Sequence, residues 1–91
     1  MLVESDIDDI TDRSHKLVSS MRVEGTPIYN PVGEKLGTVH SVMIHKTTGQ
    51  VEYALLAFGG FFGIGTHVHP IPWRMLTYDQ ARHGYVADIT R

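Results

Sequence analysis

From Val23 onward the chain is cut into short apolar runs by glycine and proline, at intervals of roughly 8–12 residues. That punctuation rules out long helices over most of the chain and asks for short strands joined by tight turns. In 91 residues only one domain fits, and it buries only roughly 60–65% of the surface its unfolded chain exposes. Small domains of this kind often recruit disulfides, metals or partner chains. With no cysteine in the sequence, disulfides, thiolate zinc sites and cysteine nucleophiles are all excluded. No segment approaches the roughly 20 apolar residues that span a bilayer, and Met1–Asp6 is acidic where a signal peptide is basic. A cytoplasmic protein without a membrane span is the expectation.

Strand by strand, Pro27-Ile28-Tyr29 is an extended piece and Asn30-Pro31-Val32-Gly33 a turn. Lys35 to His45 reads as a strand in which Val42 and Ile44 alternate with Met43 and His45. Gly37 inside it signals a bulge or a sharp coil of the sheet. Lys46–Gln50 reads as a hairpin turn with Gly49 at a positive φ, and Val51–Phe58 follows as a strand covered on both sides at its apolar end. His67-Val68-His69 and Pro70-Ile71-Pro72-Trp73 must form an edge strand or a strand end, because proline has no N–H to donate. Arg74-Met75-Leu76 suits one helical turn, and Tyr85–Ile89 a closing strand. The sum is an all-β chain, a small and strongly bent antiparallel barrel; closure is favoured because it removes exposed edges.

The first 21 residues form a separate arm. The net charge of −2 divides into −5 over residues 1–12, from Glu4, Asp6, Asp8, Asp9 and Asp12, and +3 over residues 13–91. At 100° per residue Ile7, Ile10, Leu17, Val18 and Met21 share an arc of roughly 100°. Ser5 with Asp8 resembles a capping box, so the pattern predicts a helix over residues 5–20, opposed by the weak helix formers Thr11, Ser14, Ser19 and Ser20. A lone helix of this length is marginal in water. The Ile7/Ile10/Leu17 stripe therefore needs a surface, on its own barrel or on a second subunit.

Taken in order, Val23–Asn30, Gly33-Glu34-Lys35-Leu36-Gly37, Thr48–Ala54, Phe58–Gly65 and Pro70-Ile71-Pro72-Trp73 resemble the PRC-barrel family, named for the C-terminal domain of the photosynthetic reaction-centre H subunit. A ribosome-maturation factor carries the same barrel. The resemblance covers residues 22–91 and is nearest to the stand-alone bacterial members, since neither the membrane helix of the H subunit nor the N-terminal domain of the ribosome factor is seen. It implies a bent barrel of about six strands, used for protein contact, often self-associating, and not catalytic. It also keeps open a second reading, an assembly factor associated with ribosomes or RNA. A body of +3 without a Lys/Arg cluster makes nucleic acid a poor partner, however.

The candidate sites follow from these readings. Gly59-Gly60-Phe61-Phe62-Gly63-Ile64-Gly65 is not a phosphate loop, because Thr66-His67-Val68-His69-Pro70 supplies neither the Lys-Ser/Thr nor the helix such loops need. Gly59, Gly60, Gly63 and Gly65, like Gly25, Gly33, Gly37, Gly49 and Pro72, are expected to shape the chain. Phe61, Phe62 and Ile64 plug the barrel or meet a neighbour. Together with Ile7, Ile10, Leu17 and Trp73 they are the candidate interface residues. Trp73 is expected to pack at the core or rim, with interface anchor as the alternative.

His67 and His69 share a strand face and are the metal candidates, with His40, His45 or Asp88 as possible third ligands; a metal or small ligand held there is the third reading of function. No cofactor is expected. Ser41 beside His40 lacks a nucleophile elbow, and adjacent strand residues point to opposite faces, so catalysis is not expected. A self-associating protein-contact module, a dimer or larger, is the leading expectation, since about 70 residues of barrel leave a thin core.

Overall fold

The computed structural model of the chain describes residues 16–58 and 67–89. Six strands form one sheet: β1 (Pro27–Tyr29), β2 (Lys35–Ile44), β3 (Val51–Phe58), β4 (His67–Pro72), β5 (Leu76–Asp79) and β6 (Gly84–Ala87). A short helix, α1 (Ser20–Val23), precedes them, and a single 3₁₀ turn, Trp73–Met75, joins β4 to β5. The order across the sheet is β4-β3-β2-β1-β6-β5, curled into a half-barrel. The bent β fold is as the sequence predicts, with two differences. One pair, β1 with β6, is parallel. The outer strands β4 and β5 are also not paired with each other among the described residues, so the curl has two edges where closure was expected. Both edges are blunted. Pro70 and Pro72 sit in β4 without N–H groups, and β5 is only four residues long.

Bending comes from irregular pairing. Ile28 pairs with Gly37 but Tyr29 with Lys35, which leaves Leu36 as an extra residue. Val39 pairs with Leu56 but Ser41 with Leu55, which makes His40 extra; Met43 pairs with Tyr53 but Ile44 with Val51, which makes Glu52 extra. Each bulge bends its strand and raises the local twist. The bulge expected at Gly37 thus falls on its neighbour. Gly37 serves the close approach instead: a Cβ there would meet the Ala57 carbonyl and the Leu56 side chain of β3. Gly49 (φ 78°) turns the β2–β3 hairpin as predicted, and Gly33 (φ 94°) ends the β1–β2 turn.

Inside the curl lie Ile28, Val39, Ala54, Leu56, Ile71, Tyr85 and Ala87, joined by Val23 from α1. Asn30 is buried, and both polar atoms of its side chain are hydrogen-bonded. Its Nδ2 donates to Glu34 Oε1 (2.8 Å) and its Oδ1 accepts from Glu34 N–H (2.9 Å), while its own N–H donates to the Glu34 carbonyl (2.9 Å). The β1–β2 turn is therefore closed by side chain and backbone together.

Three further expectations are revised. Residues 16–19 have no regular structure and the helical turn begins only at Ser20. Ser19, read as a helix opponent, is its N-cap and accepts from Met21 N–H at 3.3 Å. Residues 5–15 of the expected helix lie outside the described part. Strand β3 is covered on one side, with Ala54 and Leu56 buried and Tyr53, on the opposite side, exposed. The closing strand is Gly84–Ala87, shorter than Tyr85–Ile89, and β5 was not anticipated.

Candidate functional site

Register alone defines a second apolar face on the outside of the curl. Cross-strand partners point to the same side of a sheet. Ala54, Leu56 and Ile71 are buried, so their alternates in β3 and β4 face outward. Carried into β2, the pairings give three rows: Thr38, Ala57 and Val68; Ser41, Leu55 and Pro70; Met43, Tyr53 and Pro72. None of these nine positions is charged, and only Thr38 and Ser41 are aliphatic alcohols. Met43 is 53% exposed, Tyr53 46% and Val68 45%. An antiparallel sheet with one wet side ordinarily alternates apolar-in with polar-out. Here both sides are apolar, and the outer one lies uncovered by the described residues.

Strand spacings put the footprint of this lattice at roughly 15 × 17 Å. That is on the order of 250 Å², against about 800 Å² per partner in a stable interface. It has the size of an interface centre, to be completed by a polar rim. The His40 bulge creates it. Without the extra residue, Val42 would turn outward and Met43 inward. With it, Val42 packs on the core and Met43 joins Tyr53 outside.

The histidines do other work. His67 and His69 do share a face, the inner one, opposite Phe58 and Leu56. The His67 ring lies 5.8 Å from that of Phe58, and His69 helps line a small groove with Leu36, Leu56, Phe58 and Ile89. Among the described residues no three His, Asp or Glu side chains gather to hold a metal, so His40, His45 and Asp88 do not complete a site with the pair. His45 Nδ1 accepts from Thr47 and Thr48 N–H (3.2 Å each) and caps the hairpin turn. His40 Nδ1 lies 3.0 Å from Ser41 Oγ. Adjacent residues were expected to diverge, and the bulge brings them together in an exposed contact.

Trp73 is half-buried in the 3₁₀ turn and packs edge-to-face on Tyr85, ring centroids 5.3 Å apart. Tyr78 also meets Tyr85 edge-to-face, at the same centroid distance. Burial, and secondarily the neighbouring Tyr78 phenol, pushes the Tyr85 phenol above its ordinary value of 10.0. Leu17 is 65% exposed. Ile7, Ile10, Phe61, Phe62, Ile64 and the glycines Gly59, Gly60, Gly63 and Gly65 lie outside the described residues. Sequence reasoning missed the outer lattice itself and Gly84, where a Cβ would meet the Pro27 carbonyl at 2.6 Å.

The fold is thus a curled six-stranded sheet with blunted edges and an apolar outer face. The family model for the PRC-barrel domain matches residues 16–91. The chain is a member of the PRC-barrel family. A comparison with curated proteins finds no significant match. No helix among the described residues is long and apolar enough to cross a membrane.

Proposed function

We propose that this PRC-barrel domain is a non-catalytic protein-contact module that self-associates through the outer face of β2, β3 and β4. The observation that carries the reading is the uncharged three-by-three lattice, with Met43, Tyr53 and Val68 about half exposed at its rows. Burying such a patch contributes roughly 25 cal/mol per Å² of apolar area, and its lack of charge means that no ion must be stripped of water. Phe61, Phe62 and Ile64, in the segment linking β3 to β4, would extend the contact, and Trp73 would serve chiefly as packing. Light scattering on a sizing column tests this directly. The reading expects an assembly larger than one chain that becomes monomeric in Tyr53→Lys/Val68→Lys. A wild-type protein that stays monomeric at high micromolar concentration defeats it.

A further inference from the structure

On another side of the molecule a groove of about 630 Å³ runs between the residues leading into α1 and the 3₁₀ turn–β5–β6 region. Three aromatics in edge-to-face contact, Trp73, Tyr78 and Tyr85, form its apolar wall. Lys16, Arg22 and His83 line it as well, and no described carboxylate does. The volume lies in the range of ligand pockets, and its chemistry selects something both acidic and apolar. The segment of sequence that the contact function leaves unused has both properties. Residues 1–12 carry five carboxylates and no Lys or Arg, and they also carry Ile7 and Ile10. On helical spacing Glu4 and Asp6 flank the Ile7/Ile10/Leu17 stripe on either side. Leu17, the last member of that stripe, already lines the groove, as does Lys16.

We infer that the groove is a binding site for an acidic amphipathic segment, and that its occupant is this chain's own residues 1–15. Charge complementarity sets the direction: isoleucines against the aromatic wall, carboxylates toward Lys16 and Arg22, with the His83 imidazole beside them. Tethering sets the partner. The segment is joined directly to Lys16, and four residues reach up to roughly 13 Å, enough to cross a cavity of this size. Its effective concentration at the groove is on the order of millimolar, above that of a free acidic peptide or of a second copy's segment in dilute solution. The groove and the outer β2–β3–β4 lattice are separate surfaces, so this inference stands apart from self-association.

Trp73 is the only tryptophan in the chain and reports on the groove without a label. The test is acrylamide quenching of Trp73 in the full chain, acrylamide being neutral and blind to the charges altered. Two variants are compared with wild type, Ile7→Ser/Ile10→Ser and Glu4→Lys/Asp6→Lys, with cooperative melting as the check on the fold. The expected result is a quenching constant raised about twofold in both, with a red-shifted emission. Raising salt to about 1 M should produce part of the same change, because the Debye length falls to about 3 Å. Adding Lys16→Glu to the charge-reversed variant should restore protection. Quenching unchanged in both variants overturns the inference. So does wild-type protection that disappears on dilution, since the occupant would then come from a second copy. Self-association is read separately, through Tyr53→Lys/Val68→Lys, which should leave Trp73 quenching unaltered.

Discussion

The two faces of the β2–β3–β4 region are built from the same three strands and are both largely apolar, yet the middle of one is buried while the other is open. Inside, Val39, Ala54, Leu56 and Ile71 are all at most 5% exposed. Outside, Met43, Tyr53 and Val68 are each near half exposed. The inner face needs its apolar residues to fold. The outer face has no such need, because an exposed sheet face folds well with polar residues on it. Apolar surface that folding does not require is what supports reading the outer face as a contact surface. The difference also sorts mutations: inner changes should unfold the domain, and outer ones should dissociate it.

The largest effect is expected at the centre of the inner face. Ile28 is fully buried, and Ile28→Ala should cost about 3–4 kcal/mol in urea unfolding. Gly37→Ala tests the close approach of β2 to β3 and should cost about 2–3 kcal/mol, since the obstacle is the Ala57 backbone, which cannot rotate aside. Asn30→Ala strands the buried end of the β1–β2 turn and should cost about 2 kcal/mol. A much smaller loss at Ile28 than on the outer face would erase the distinction between the two.

On the outer face Tyr53→Lys should change monomer stability by less than about 0.5 kcal/mol while weakening assembly. The smallest effect concerns pH. The Tyr85 phenol is raised in the folded state, so the fold favours its neutral form. The stability this contributes is complete below pH 10, where the unfolded tyrosine is also neutral. It falls as pH rises from there through the folded value. Unfolding followed from pH 8 to 11 should show a plateau and then a decline, and Tyr85→Phe should flatten that decline.

How much of this could be read from residues alone depended on phase. The β2–β3 hairpin was legible almost to the residue, because Gly49 marks the turn and strong β-formers flank it. Pro70 and Pro72 announced β4 as an edge strand. The outer lattice was not legible. The local alternation of Val42 with Met43 is plain in the sequence, but which of them faces the core depends on the extra residue at His40. Nothing in Val39-His40-Ser41 marks a bulge, since none of the three is glycine. Strand β5 was hidden for another reason: Leu76-Thr77-Tyr78-Asp79 is too short to show a period, and its pairing with β6 is what makes it a strand. The same bulge undid the expectation that His40 and Ser41 diverge.

The most direct test of the account is a dilution series followed by amide and methyl NMR. If the outer face carries the assembly, shifts and line broadening that vary with concentration will concentrate at Met43, Tyr53, Leu55, Ala57 and Val68, leaving Ile28 and Ala87 unmoved. Spectra that do not change with concentration would contradict the central claim, as would changes confined to β5, β6 and the β1–β2 turn.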